Sequence, residues 1–131
     1  AGGLGTALMV FLNGTLKSGI ETVLDLVDFD EHLKDVDIVV TGEGATDWQS
    51  VFGKVMQGVG VHCQKHHIPA VAIVGSMGSG AEDIFDYGIE SIITTVNNIM
   101  PLSDALNHAE ELYLGAARRM FRLLKAGMQM R

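Results

Sequence analysis

The stretch Pro69-Ala70-Val71-Ala72-Ile73-Val74-Gly75 narrows the fold more than any other. Five consecutive apolar residues follow a proline and run into the glycine loop Gly75-Ser76-Met77-Gly78-Ser79-Gly80. A short run that is apolar at every position fits a parallel strand covered on both faces. Parallel strands need crossover connections, and the neighbouring segments supply them. Upstream, Ile38-Val39-Val40 marks a strand over 36–41, and residues 53–67 carry helical spacing at Val55, Val59 and His62-Cys63. Downstream, 81–87 reads as a short helix with Gly88 as its C-cap, and 90–96 as a third strand centred on Ile92-Ile93.

Helices flank this unit. Residues 6–12 form a short helix that ends at the turn signal Asn13-Gly14. Ser18 is placed to cap a helix from Gly19 to about Val27, with Ile20, Val23, Leu24 and Val27 on one face, and 29–33 adds a turn. The last helix is capped by Ser103 and stopped by Gly127. Leu102, Leu106, Ala109, Tyr113, Ala116, Met120 and Leu124 form its apolar stripe. Strand, helix, strand, helix, strand, helix predicts an α/β fold, a three-layer α/β/α sandwich with a mainly parallel sheet, part of a larger flavodoxin- or Rossmann-like domain. Three strands make a small sheet, and the chain opens inside a glycine cluster without a methionine. The expectation is one α/β segment, 1–131, from a longer protein.

Composition removes several functions. Of 131 residues, 47% are apolar and 19% charged, as in an ordinary globular chain. The net charge of −7 argues against nucleic acid. The cluster Arg118-Arg119-x-x-Arg122-x-x-Lys125 complements the C-terminal dipole of the last helix and reads as a solvated helix end. Cys63 is the only cysteine, so no internal disulfide forms, in keeping with a cytoplasmic setting. No apolar run is long enough for a membrane helix, and no basic-then-apolar leader is visible at the start of these residues.

Chemistry concentrates in Asp37 to Lys54, D-I-V-V-T-G-E-G-A-T-D-W-Q-S-V-F-G-K. A strand ends in a polar loop, Thr41-Gly42-Glu43-Gly44, followed by Thr46, Asp47, Gln49 and Ser50, and a helix opens near Gly53-Lys54. In open α/β sheets, ligands bind at this edge. Gly42 and Gly44 let the backbone turn and approach a ligand. Glu43 and Asp47 suit magnesium ligation, substrate hydroxyls or proton transfer; the plainer alternative is helix capping by Asp47 and a turn role for Glu43. Lys54 opposes the dipole at a helix start, which points to an anionic ligand.

Other motifs are weaker. The 75–80 loop is neither a P-loop nor G-x-G-x-x-G, although Ser76 and Ser79 could donate to a phosphate or carboxylate. Gly2 and Gly3 precede a helix, which is either an anion site or simply a loop. His62 and His66 stand at i, i+4, but no third metal ligand has a fixed spacing, so a helix end beside Pro69 is the favoured reading. Cys63 reads as a small buried residue, not a nucleophile.

The blocks A-G-G-L-G, D-I-V-V-T-G-E-G-x-x-D-x-Q-S-x-x-G-K-V, P-A-V-A-I-V-G-S and Y-G-I-E-S-I together resemble the C-terminal part of bacterial glycerate kinases of the first type. The resemblance runs along essentially the whole chain, and its specific part is the T-G-E-G…G-K block. It implies transfer of the γ-phosphate of ATP, with Mg²⁺, to D-glycerate, giving 2- or 3-phosphoglycerate. By motif, Glu43, Asp47 and Lys54 become the catalytic set. Gly2, Gly3, Thr41, Gly42, Gly44, Gln49 and Ser50 become substrate-binding, and Ser76 and Gly78 nucleotide-binding, with no dedicated protein metal site. Partners are then the small-molecule substrate and, as an option, a second copy in a homodimer.

Three positions depart from that family's pattern. Ala45 replaces the arginine after G-E-G, Met56 replaces a proline, and Thr46 replaces an aliphatic residue before the aspartate. Arginine is the natural bidentate partner of a carboxylate or phosphate. Its loss keeps a second reading open, a non-catalytic binding or regulatory domain. The fragment by itself is expected to be inactive.

Overall fold

A computed structural model describes residues 2–51 and 54–130. The expected helix opening at Gly53, and Ala1 of the glycine cluster, lie outside the described residues. The chain runs α1 (Leu4–Leu12), α2 (Gly19–Leu26), α3 (Phe29–His32), β1 (Val39–Thr46), α4 (Val55–Lys65), β2 (Ala70–Met77), β3 (Ile89–Thr94), α5 (Leu102–Asn107) and α6 (Ala109–Gly127). Single turns of 3₁₀ helix occupy Leu33–Asp35 and Trp48–Val51, and a longer one Ala81–Tyr87.

The sheet is parallel with order β1-β2-β3. β1 pairs with β2 from Val39↔Ala70 to Thr46↔Met77, and β2 with β3 from Ala70↔Ile89 to Val74↔Thr94. The central strand buries both of its faces, as its unbroken apolar run requires. Ala70, Ala72 and Val74 pack with Leu24, Leu33, Met56, Val59, Cys63, Ile84 and Ile89 under α2 and α4. Val71 and Ile73 pack on the other side with Ala116 and Met120 of α6. This is the expected α/β/α arrangement.

Glycines set how close the layers come. A Cβ at Gly60 on α4 would stand 2.3 Å from the Tyr87 carbonyl oxygen. Gly88, at φ 88°, caps the 3₁₀ helix and lies equally close to Gly60. The C-cap read from the sequence is therefore also a packing contact between α4 and the turn before β3.

Several boundaries differ from the sequence reading. β1 does not stop at Thr41; it runs through Gly42, Glu43 and Gly44 to Thr46. The glycines do not turn the chain. Gly42 and Gly75 let two backbones approach: a Cβ at Gly42 would lie 2.2 Å from the Ile73 carbonyl oxygen, and one at Gly75 2.2 Å from that of Gly44. The ladder thus outlasts the apolar run in both strands. The last helix is two helices broken at His108 (φ −109°), and Pro101 occupies the N-cap of α5 in place of Ser103, whose hydroxyl reaches Asp104 instead. The apolar stripe divides beyond the break, between the exposed Tyr113 and the buried Ala116. Ala116 and Met120 are buried, whereas Leu102 and Leu106 are 74% and 66% exposed.

Candidate functional site

The loop after β1 is held from inside. Thr46 and Ser50 are both fully buried, and the Thr46 hydroxyl donates to the Ser50 hydroxyl oxygen at 2.8 Å. The same Ser50 oxygen accepts the Asp47 backbone N–H at 3.2 Å. The Gln49 backbone N–H donates to Asp47 Oδ1 at 2.8 Å, so Asp47 caps the 3₁₀ turn that follows. Buried hydroxyls must be satisfied, and here they satisfy one another. Thr46 therefore has a concrete role that an aliphatic side chain could not fill: it holds Ser50.

The glycine loop after β2 clamps this turn from outside. The Gly78 N–H donates to the Thr46 carbonyl oxygen at 2.7 Å, and the Trp48 N–H to the Ser79 carbonyl oxygen at 3.0 Å. Gly80 sits at φ 73°, and a Cβ there would meet Trp48 Cβ at 2.8 Å. The two loops read separately in the sequence are one structure at the C-terminal end of the sheet. No apolar periodicity signals this, because backbone hydrogen bonds make the junction.

Glu43, Gly44 and Lys54 meet in a cavity of about 640 Å³ whose remaining walls are Gly19, Ile20 and Val23 of α2 and Val55 of α4. Glu43 comes from β1 and is half-buried; Lys54 is exposed at the N-cap of α4. A lysine, a helix N-terminus and a carboxylate on one rim suit a ligand that carries both anionic and hydroxyl groups. The α2 wall was not foreseen, since its residues read as a core face.

Thr41 and Gly42 lie lower on β1. Asp47 is half-buried and Gln49 exposed on the turn beyond the strand. Ser50 faces inward and acts on the loop's shape. Ser76 and Gly78 are exposed at the end of β2 and in the loop after it. Gly2 and Gly3, both at positive φ, precede α1, which contributes no buried residue and lines none of this cavity. Ala45, where the arginine was expected, is exposed on β1 opposite Ser76.

A second cavity of about 330 Å³ opens on the α6 side of the same strand ends. Gly44, Gly75 and Ser76 form part of it, with Thr95, Leu106 and Tyr113 around them. The exposed upper half of the apolar stripe lines this space.

The histidines of α4 form a separate cluster. His62 Nδ1 lies 2.5 Å from Asp30 Oδ1, and its Nε2 lies 3.1 Å from Glu21 Oε2. Both ring nitrogens can donate only in the protonated imidazole. Burial lowers the His62 pKa, but the bonds to Asp30 and Glu21 outweigh it and the net shift is upward. The hydrogen bond from His62 holds the Asp30 carboxyl well below the usual carboxylate range. Lys65 Nζ also donates to Asp30 at 3.1 Å. His66 Nε2 lies 3.2 Å from the same carboxylate, out of line for a hydrogen bond. The cluster ties α2 and α3 to α4 through ion pairs. Among the described residues no three His, Cys, Asp or Glu side chains are grouped to hold a metal. Cys63 is buried, and burial pushes its thiol up to about 11, which leaves it inert. No helix of the described residues is long and apolar enough to cross a membrane.

Comparison with known proteins matches residues 1–125 to the model of the glycerate kinase family. A glycerate kinase from Halalkalibacterium halodurans is 42% identical over 92% of this chain and 32% of its own length. A glycerate 2-kinase from Escherichia coli is 38% identical over 98% of this chain and 34% of its own. The crystal structure titled putative glycerate kinase 2 from Salmonella typhimurium LT2 superposes with a TM-score of 0.74 at 36% identity, covering 99% of this chain and 33% of that one. The chain thus spans about a third of the length of the proteins it matches.

Proposed function

The chain belongs to the glycerate kinase family, and from that membership we propose that the full-length protein transfers the γ-phosphoryl group of ATP to a hydroxyl of D-glycerate. This α/β segment is then the C-terminal portion of a cytoplasmic kinase. The observation that carries the reading is the cavity where Glu43, Gly44 and Lys54 converge.

Phosphoryl transfer needs positioning and charge neutralisation more than covalent chemistry by the protein. A glycerate hydroxyl oxygen bonds to the γ-phosphorus as the bond to the β-phosphate oxygen breaks, and ADP leaves. Asp47, with one oxygen fixed by the Gln49 N–H, orients that hydroxyl and accepts its proton. Lys54 neutralises the glycerate carboxylate or the moving phosphoryl group. Magnesium is commonly bound through one or two carboxylates together with phosphate oxygens. Glu43, which lines the cavity, fits that mode, so the ion would arrive with the nucleotide and neutralise its charge.

Ala45 favours a second reading, a domain that binds glycerate without phosphorylating it, because the missing arginine is a natural carboxylate clamp. An ADP-release assay on the full-length protein with D-glycerate and Mg²⁺-ATP separates the two. Turnover is expected, falling about 10²- to 10⁴-fold in Asp47→Asn, and Ala45→Arg should lower the KM for glycerate. A folded protein that binds D-glycerate but releases no ADP overturns the kinase reading in favour of the second.

A further inference from the structure

His62 of α4 stands between carboxylates from two other helices. Its Nδ1 lies 2.5 Å from Asp30 Oδ1 on α3, and its Nε2 3.1 Å from Glu21 Oε2 on α2. The side chain is only 16% exposed, and the Phe29 ring meets it edge-on with centroids 6.1 Å apart. Each element packed against the ring brings charge. Glu21 and Asp25 come from α2, and Asp28, Asp30 and Glu31 from α3 and its N-cap. Lys65 and His66 follow one turn along α4, both beside Asp30, and Glu31 is paired with Lys34. Carboxylates dominate these surroundings, which favours the charged ring.

A neutral imidazole has a single N–H. It keeps one of its two partners and turns a bare lone pair toward the other carboxylate. The bond to Asp30 is the shorter, and Lys65 holds the same carboxylate at 3.1 Å. Glu21 is a half-exposed side chain that can swing into solvent. The bond from Nε2 to Glu21 is therefore the one given up.

That bond reaches the cavity through α2. Glu21 lies between Ile20 and Val23, and these two residues, with Gly19, wall the space that holds Glu43 and Lys54. Lys54 is the N-cap of α4 and Val55 its first residue, so the cavity lies between the two helices that His62 joins. Leu24 is buried in α2. Ile20 rests on Gly58 of α4, where a Cβ would come within 2.4 Å of it. The segment before α2, 13–18, is exposed throughout. The helix is thus seated by Ile20, Leu24 and Glu21.

We infer that the imidazolium of His62 is a proton-dependent clasp that holds α2 against α4 and so positions one wall of the Glu43 and Lys54 cavity, and that loss of the proton loosens this wall. Burial lowers the His62 pKa, but the bonds to Asp30 and Glu21 outweigh it and the net shift is upward from 6.5. The clasp is therefore closed below 6.5 and opens as pH rises through the raised value. The clasp stands on geometry; its effect on D-glycerate rests on the kinase reading. His62 is then a positioning residue, acting through α2.

Hydrogen exchange of the α2 amides in the full-length protein tests the clasp without turnover, and the KM for D-glycerate tests the wall. At about pH 6, α2 in His62→Gln is expected to exchange roughly two to five times faster than in wild type, the scale of a half-exposed ion pair. By about pH 9 the two should match. Taking the ratio at each pH cancels the intrinsic pH dependence of exchange. The KM ratio should follow the same course with kcat unchanged. Glu21→Gln offers a partner to either form of the ring, since an amide both donates and accepts, so its α2 should stay protected at about pH 9, where wild type loosens. An exchange ratio of one at both pH values overturns the inference, as does a ratio that grows toward alkaline pH. If His62→Gln does not fold, Glu21→Gln decides, and exchange equal to wild type at about pH 9 overturns the clasp. Loosening of α2 with turnover at an unchanged KM overturns the wall. Loosening without any turnover of D-glycerate sinks the kinase reading and leaves the clasp standing.

Discussion

The two faces of the sheet are built to different standards. Among the described residues, ten buried side chains under α2 and α4 close into one cluster that runs from Leu24 to Ile89. Under α6, four suffice, Val71, Ile73, Ala116 and Met120. The first face reaches close backbone contact, with Gly60 and Gly88 drawing α4 onto the turn before β3. The second is closed at its lower end and open at its upper end, where Leu102, Leu106 and Tyr113 border a cavity instead of a core. A parallel sheet needs both faces covered, but the cover need not be complete at the strands' C-terminal ends. Rigidity on one side holds the strand ends in place, and incompleteness on the other leaves room beside them.

Core truncation should expose this contrast most strongly. Met56→Ala, at a residue with no exposed surface, is expected to cost about 2–5 kcal/mol in urea unfolding. Met120→Ala should fall at or below the low end of that range, because the surrounding α6 face is already partly open and can relax. Equal costs would mean that the two faces are equally tight. Glycine substitutions sharpen the same point at a smaller scale. Gly60→Ala drives a Cβ toward the Tyr87 carbonyl and should cost about 1–3 kcal/mol. Gly115→Ala in α6 meets nothing closer than the Arg119 guanidinium at 3.5 Å and should raise stability by up to about 1 kcal/mol through helix propensity alone. Melting curves that moved in the same direction would contradict the contrast.

Ser50→Ala removes the acceptor of Thr46 and of the Asp47 N–H. A loss of about 1–2 kcal/mol is expected for the buried hydroxyl left unsatisfied. Activity should fall by more than that loss of stability explains, since the Asp47 turn loses its inner tether. Assaying at a temperature where the variant is fully folded separates the two effects.

The smallest expected effect concerns the ion pairs of the closed face. The Asp30 carboxyl is depressed, so its contribution is present above the ordinary value of 3.8 and is lost as pH falls through the depressed one. The His62 imidazole is raised, so its contribution is full below the ordinary 6.5 and is lost as pH rises through the raised value. Wild type should therefore exceed His62→Gln in urea midpoint most clearly at about pH 5.5, with the gap narrowing by about pH 9. A gap that widened toward alkaline pH would show that His62 acts as a neutral packing residue.

Much of this was legible in the residues. The run Ala70–Val74 announced a strand buried on both faces, and the crossover order announced a parallel sheet. The T-G-E-G…D-x-Q-S…G-K block singled out Glu43, Asp47 and Lys54; the structure brings Glu43 and Lys54 to one cavity, which Asp47 does not line. The length of β1 was not legible. Glycines ordinarily signal a turn, whereas Gly42 sits in a ladder whose neighbouring carbonyl excludes a side chain. The break at His108 was hidden because the apolar stripe keeps a helical period across it.

The sequence by itself determined the α/β order, the central strand and the segment that bears the polar chemistry. Each follows from local periodicity and composition, which act along the chain. Tertiary structure alone decided that the 75–80 loop clamps the Asp47 turn, that α2 walls the Glu43 and Lys54 cavity, and that half of an apolar stripe lines a pocket. These depend on which backbones come within hydrogen-bonding or van der Waals distance across large sequence separations. A helical stripe has the same period whether it faces a core or a cavity, so only the packing of α5 and α6 against the sheet could tell the two apart.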